Sequence, residues 1–179
     1  MSSPLRKNRG RRLVAVVAMI LIAPTLAQES PGVDRHLSFF HTHTAETIDV
    51  TYFKDGAYVT SALDDLNHFL RDFRTGDAAD MDPAVFDILH EIQRRSGSAG
   101  TFEVISAYRS PATNEMLRDN SSGVAKNSQH LLGKAIDVRL TDLDTAELRN
   151  VALSLGRGGV GYYHSSDFVH VDTGRVRQW

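Results

Sequence analysis

Apolar residues recur with two different periods along this chain, and each period predicts one kind of element. Roughly alternate positions are apolar in the segment 37–59, which predicts a β-hairpin. Helical spacing follows in the segment 61–76, where it predicts a helix that Ser61 caps and Gly76 ends. The chain therefore opens with strands and continues with a helix.

The order of the remaining elements indicates the fold class. Asp82 and Pro83 are residues that typically begin a helix, so a second helix is predicted from this point. The same signals predict helices over 82–97, 110–120 and 142–156, and strands over 101–110, 135–140, 158–163 and 168–174. After the opening hairpin, helices come first and strands cluster later, which predicts an α+β fold with a small, mostly antiparallel sheet.

The start of the chain has the three-part layout of an export signal. Basic residues without an acidic one precede the apolar run 13–23, and small residues then indicate cleavage after Ala27. The run is shorter than the roughly 20 residues that span a bilayer, although an uncleaved anchor is the alternative. Paired arginines before the run also permit twin-arginine export. We predict an export signal over 1–27, a linker over 28–35 and one domain over 36–179, in a periplasmic protein.

Composition excludes several classes of site and partner. The chain has no cysteine, which excludes a thiolate metal site, a cysteine nucleophile and a disulfide framework. Five of its 20 basic residues lie in the predicted signal, so the rest carries 15 basic and 22 acidic residues, a net charge of −7. Such an acidic protein is poorly suited to nucleic acid, whose phosphates require basic partners.

Strand alternation brings three potential metal ligands within reach of one another. Asp137 and His170 each lie on the polar face of a predicted strand, so they converge if the two strands are neighbours. His130 lies in the loop that enters the first of these strands, and Gly133 permits a tight turn there. A catalytic zinc ion commonly has three protein ligands and one open position for water. On spacing alone, a structural role for these side chains remains the alternative.

Several separated motifs, in the same order, resemble one family of peptidases. SQHLLGKAID, at 128–137, is similar to the S-x-H-x-x-G-x-A-x-D signature of the LAS metallopeptidases, named for lysostaphin, D-Ala-D-Ala metallopeptidases and sonic hedgehog. SAYRS, at 106–110, resembles a segment of the VanX/VanY-type branch, and FVHVD, at 168–172, resembles the strand that supplies the last zinc histidine. The resemblance extends over 37–179 and is strongest to the YcbK-like branch of murein endopeptidases.

This resemblance implies a zinc site and a substrate-binding cation. It implies that His130, Asp137 and His170 bind zinc, and that Arg109 holds a substrate carboxylate or the carbonyl oxygen that becomes negative. A guanidinium can stabilise an oxyanion without a proton transfer, although a surface salt bridge is the alternative for this arginine. Ser128 would hydrogen-bond the substrate or, alternatively, cap the turn.

The general base is open between two aspartates. VanX-type enzymes carry an acid three residues before the last zinc histidine, and Asp167 occupies that position here. A regular strand would direct Asp167 away from the face of His170, so its side chain would have to curl back from the preceding turn. Asp172 shares the face of His170, and its other expected role is to orient that histidine.

Two classes of function follow from these features. The preferred one is an exported, monomeric zinc peptidase that hydrolyses the peptide cross-links of peptidoglycan, with the bond between two diaminopimelate residues as the expected target. Cleavage between D-Ala and diaminopimelate and trimming as a D,D- or L,D-carboxypeptidase are the alternatives within this class. The second class is a non-catalytic peptidoglycan-binding module of the same fold. Neither class implies a membrane partner beyond the export signal.

Overall fold

The computed structural model describes residues 33–121 and 123–179, so the predicted export signal lies outside the described residues. Within them no helix is both long and apolar enough to cross a membrane. The elements in chain order are β1 (Arg35–His41), β2 (Thr47–Lys54), β3 (Ala57–Tyr58), α1 (Thr60–Phe69), α2 (Pro83–Ser96), β4 (Phe102–Ser106), α3 (Pro111–Asn120), β5 (Ala135–Leu140), α4 (Thr145–Ser154), β6 (Gly159–Tyr163), β7 (Phe168–Asp172) and β8 (Arg177–Gln178). Two short 3-10 helices, Gln129–Leu132 and His164–Ser166, precede β5 and β7.

The strands of the described part form one eight-stranded sheet in the order β3-β2-β1-β4-β5-β7-β6-β8. Neighbouring strands are antiparallel except for β1 with β4 and β6 with β8. The predicted α+β class and the mostly antiparallel pairing are therefore confirmed. The prediction of a small sheet was wrong, because the parallel pairing of β1 with β4 joins the N-terminal hairpin to the later strands.

Local hydrogen bonds mark the start of α2 and the end of α1, whereas α1 begins at Thr60 without a side-chain cap, so the predicted cap at Ser61 was wrong. The Asp82 carboxylate accepts a hydrogen bond from the Ala84 N–H at 3.0 Å and caps α2, which ends at Gly97 with a φ of 70°. The first helix ends at Phe69, well before the predicted stop at Gly76. Asp72 explains this early end, because its buried side chain accepts backbone hydrogen bonds that compete with a helix.

Apolar side chains of the central strands pack against the helices, and this leaves polar side chains on the opposite face. In β5 the core positions are Ile136, Val138 and Leu140, while Val169 and Val171 are the core positions of β7. The helices α1, α2 and α4 contribute to the same core. Because side chains alternate along a strand, the residues between these positions point away from the core.

Candidate metal centre

Two neighbouring strands and one turn bring the three predicted ligands together. In the antiparallel pairing of β5 with β7, Asp137 is directly opposite His170. Asp137 Oδ1 lies 2.8 Å from His170 Nδ1 and 3.2 Å from His130 Nε2, and the two histidine nitrogens are 3.1 Å apart. All three side chains are buried, and their ligand atoms lie within 4.8 Å of one another. The three residues therefore form a group that could hold a metal ion.

The backbone around His130 is anchored at both ends of its 3-10 turn. Ser128 caps the turn, because its Oγ accepts a hydrogen bond from the His130 N–H at 3.3 Å. Gly133 ends the turn with a φ of 65°, and a Cβ at this position would collide with the carbonyl oxygen of Asp80. The carbonyl of His130 accepts a hydrogen bond from the Arg109 N–H at 3.1 Å. The tight turn that glycine was expected to permit is therefore present, and it places the histidine ring.

Hydrogen bonds to the outer nitrogens orient both histidines for metal binding. His130 Nδ1 lies 2.6 Å from the Ala107 carbonyl oxygen and donates to it, which leaves Nε2 as the nitrogen with a free lone pair. His170 Nε2 lies 2.9 Å from Asp172 Oδ2 and donates to it, which leaves Nδ1 free. The two free nitrogens are the ones that face Asp137. Metal-binding histidines are held in this way, so two nitrogens and one carboxylate oxygen fit a zinc-type donor set.

Asp172 is fully buried, and its carboxylate accepts hydrogen bonds from several donors. Besides His170, these donors are the N–H groups of Gly159 and Gly174, at 3.0 and 2.8 Å, and the Arg177 guanidinium, at 2.6 Å. Burial alone would raise the pKa of Asp172, but the hydrogen bonds from His170 and Arg177 hold that pKa well below its usual range. A carboxylate held this firmly orients the histidine ring, and it is a poor proton acceptor.

Asp167 does not approach the three potential ligands. It lies in the turn between β6 and β7 with a φ of 52°, and its Oδ1 accepts a hydrogen bond from the Thr145 hydroxyl at 2.7 Å. It lines a separate cleft that also contains Arg139, whose guanidinium lies 3.7 Å from Asp167 Oδ2. The expectation that Asp167 curls back toward His170 was wrong, because the start of α4 offers a hydroxyl donor and the positive end of a helix dipole.

The three potential ligands line a cleft of about 620 Å³ that also contains Arg109 and Ser128. The Arg109 guanidinium is largely buried, with NH2 3.9 Å from Asp137 Oδ2 and NH1 3.4 Å from Asn114 Oδ1. Its Nε–H is buried and has no acceptor among the described residues. Burial lowers the pKa of Arg109, but an arginine remains charged in proteins. The cleft therefore contains a fixed cation beside the potential metal ligands.

The pKa of His170 is raised and that of Asp137 is lowered, and both shifts favour a positive charge between the potential ligands. Burial alone would lower the pKa of His170, but its hydrogen bonds with Asp137 and Asp172 raise that pKa to about 9. Burial would raise the pKa of Asp137, but protons on the histidine nitrogens that face it lower this pKa below its ordinary value, and a bound metal ion would take the place of those protons. The buried carboxylates thus stabilise a cation at the place where a divalent ion would be bound.

The cleft includes three aromatic residues that the sequence did not identify as site residues, namely Tyr163, Phe168 and Trp179. The alternation of β6 could have indicated Tyr163, since it lies two positions after Gly161, on the face of His170. No local pattern indicated Trp179, because its place in the cleft depends on the parallel pairing of β6 with β8.

Known proteins resemble this chain over nearly its whole length. The family model described as peptidoglycan L,D-endopeptidase MepK matches residues 29–179. The peptidoglycan L,D-endopeptidase MepK of Escherichia coli (strain K12) is 42% identical over 166 residues, which cover 93% of this chain and 91% of that protein. The probable peptidoglycan L,D-endopeptidase MepK of Haemophilus influenzae is 40% identical over 167 residues, with 93% and 90% coverage. The resemblance inferred from the motifs is thereby confirmed, and the chain belongs to the family described as peptidoglycan L,D-endopeptidase MepK.

Proposed function

We propose that this protein is a zinc-dependent L,D-endopeptidase that hydrolyses peptide cross-links of peptidoglycan. One observation carries the proposal: His130, Asp137 and His170 converge, and each histidine turns its free nitrogen toward the shared centre. The similarity to relatives named peptidoglycan L,D-endopeptidase supports the substrate class. We further propose that the protein acts as an exported monomer in the periplasm, which rests on the export signal predicted from the sequence.

His130 Nε2, Asp137 Oδ1 and His170 Nδ1 would hold the zinc ion. A zinc ion bound there would act as a Lewis acid toward a peptide carbonyl and would lower the pKa of a water molecule. The protein contributes the fixed orientation of the ligands, since Ala107 and Asp172 hold the outer nitrogens of the two histidines.

Arg109 is the residue that we propose to bind the carbonyl oxygen of the peptide or a carboxylate beside it. Its guanidinium lines the cleft and is held between Asn114 and Asp137. A donor that is already oriented needs no rearrangement as negative charge develops on the substrate. Ser128 also lines the cleft, but its described contact caps the turn that carries His130.

The placement of the two candidate bases favours neither of them. Asp167 lines another cleft, and the carboxylate of Asp172 is occupied by buried hydrogen bonds. Among the described residues that line the metal cleft, Asp137 is the only carboxylate. This observation also favours a second candidate function, that of a non-catalytic peptidoglycan-binding module that keeps the metal site.

Digestion of purified sacculi separates these functions. The zinc-loaded protein without its predicted signal is incubated with sacculi, and the muropeptides are analysed by mass spectrometry, with His130→Ala as the matched control. An endopeptidase converts cross-linked dimers into monomers, whereas a carboxypeptidase only shortens stem peptides. Unchanged muropeptides, together with sedimentation of the protein with sacculi, would support the binding module and contradict the peptidase.

A further inference from the structure

Tyr163 projects from the same face of the sheet as the potential metal ligands. In the antiparallel pairing of β6 with β7, Gly161 is opposite His170, and Tyr163 is opposite Phe168. Side chains two positions apart in a strand share a face, so Tyr163 lies on the side of His170. Its ring stacks on Phe168 with centroids 4.5 Å apart and an angle of 17° between the planes. The tyrosine ring is therefore held in one plane beside the cleft that it lines.

Trp179 packs over Gly161 and holds the hydroxyl of this tyrosine. A Cβ at Gly161 would lie 2.5 Å from the indole ring, so only glycine leaves room for it. The indole is also 5.1 Å from the His170 ring, measured between centroids, and the Arg177 guanidinium lies 4.9 Å from the indole centroid. From this position Trp179 Nε1 donates a hydrogen bond to Tyr163 Oη at 2.9 Å.

This hydrogen bond determines what the tyrosine hydroxyl can do. An indole N–H can only donate, so the Tyr163 oxygen is the acceptor and keeps its own proton for another partner. No residue in the described part of the chain accepts a hydrogen bond from that hydroxyl. Tyr163 thus presents an oriented donor in the cleft that the guanidinium of Arg109 also lines.

We propose that the Tyr163 hydroxyl donates a hydrogen bond to the oxygen of the scissile carbonyl as negative charge develops there. The proposal rests on the proposed peptidase function and assigns Tyr163 as a catalytic residue beside Arg109. Trp179 is a positioning residue, since it fixes the direction of the hydroxyl through its own N–H. No covalent bond to the tyrosine forms or breaks, and its proton stays on the phenol oxygen. An oriented donor of this kind stabilises the transition state more than the bound substrate.

Two conservative substitutions test the Tyr163 hydroxyl separately from the Trp179 N–H that orients it. Tyr163→Phe keeps the ring on Phe168 and removes the hydroxyl, and Trp179→Phe keeps an aromatic ring over Gly161 and removes the N–H. With a cross-linked muropeptide dimer as substrate, Tyr163→Phe is expected to lower kcat by at least about tenfold, with KM and zinc content close to those of the wild type. Trp179→Phe is expected to lower kcat less, and to lower it little further in a Tyr163→Phe background.

Each proposed role has one outcome that would overturn it. An unchanged kcat in Tyr163→Phe, or a rise in KM alone, would overturn the role of the hydroxyl. Independent, multiplicative losses in the double variant would overturn the positioning role of Trp179.

A binding experiment tests the proposal without relying on turnover. A phosphinate isostere of the cross-link peptide carries the negative tetrahedral oxygen that the hydroxyl is proposed to contact. Calorimetry is expected to show weaker binding of this isostere to Tyr163→Phe than to the wild type, while a peptide product binds both equally. Equal affinity for the isostere would overturn the proposal even if cleavage is seen. If the wild type leaves all cross-links intact, the proposed function fails, and the isostere titration still decides whether the hydroxyl contacts the oxyanion.

Discussion

His170 donates a hydrogen bond from Nε2 to Asp172 Oδ2 at 2.9 Å, and this contact fixes which nitrogen of the ring faces Asp137 and His130. The buried aspartate is in turn held by Arg177 and two backbone N–H groups. The orientation of one potential metal ligand therefore depends on a side chain that does not itself face the other ligands.

Asp172→Asn is expected to weaken zinc binding by roughly 10- to 100-fold, because an amide no longer fixes the tautomer of His170. The amide also loses the charge that pairs with Arg177. Zinc affinity can be measured by competition with a chromophoric chelator. An affinity equal to that of the wild type would show that the histidine needs no such partner.

Asp167→Asn is expected to leave zinc affinity unchanged and muropeptide cleavage within about twofold of the wild type, as for most surface substitutions. Its carboxylate contacts Thr145 and lies in the other cleft, so the change removes no contact to the metal ligands. The measurement is the initial rate of dimer cleavage. A loss of several orders of magnitude would restore Asp167 as the general base.

Gly133→Ala is expected to destabilise the protein and to lower its zinc content. The residue has a φ of 65°, and its new Cβ would collide with the Asp80 carbonyl oxygen, so the turn that carries His130 must shift. Gly97→Ala is the matched control, since Gly97 has a φ of 70° but nothing within 4 Å of a Cβ. Denaturant unfolding should show a loss of about 1 kcal/mol for the control and a larger one for Gly133→Ala. Equal losses would contradict the collision.

Removal of the metal is expected to lower the melting temperature by several degrees, because a ligand that binds only the folded state stabilises it in proportion to its occupancy. Thermal unfolding is measured with chelator and again after zinc is restored. His130→Ala should lose this response, whereas His164→Ala, at an exposed position of the turn before β7, should keep it. An unchanged response in His130→Ala would place the metal elsewhere.

His41, which is fully buried at the end of β1, is expected to contribute a loss of stability in mild acid. Its Nδ1 accepts the His43 N–H at 3.2 Å, so protonation would place a second proton against that donor. Burial, His43 and Arg71 lower the pKa of His41 from its ordinary 6.5, while Glu46 opposes them. The stability that comes from the neutral ring is therefore complete above this value and is lost as the pH falls below it.

The free energy of unfolding, measured at about pH 7.5 and about pH 5.5, tests whether the contribution of His41 is lost in acid. His41→Phe should lose less stability between the two conditions than the wild type, and His164→Phe should behave like the wild type. A variant His41→Phe with the same pH dependence as the wild type would contradict the assignment.

The parts of the site that follow from local periodicity could be predicted from the sequence. Alternation places Asp137 and His170 on polar strand faces, and a glycine after His130 permits the turn, so all three converge once β5 and β7 pair. The direction of Asp167 could not be predicted in this way. It depends on the Thr145 hydroxyl at the start of α4, a contact across 22 residues of sequence.

The size of the sheet and the aromatic part of the cleft also depend on contacts that sequence patterns do not report. The strands β1 and β4 are parallel neighbours although two helices separate them in the chain. Trp179 reaches the cleft only because the chain after β7 returns to pair beside β6. Periodicity shows which face of a strand is polar, but it does not show which strand becomes its neighbour.

Arg177 belongs to β8, a strand of two residues at the edge of the sheet, yet it holds the buried carboxylate that orients His170. Short edge strands open locally at little cost in free energy, so such fraying would release Asp172 without unfolding the core. Because linkage is reciprocal, a metal that prefers the oriented ring must also slow hydrogen exchange in this edge strand. Metal occupancy and order at the edge of the sheet are thus two measurements of one equilibrium.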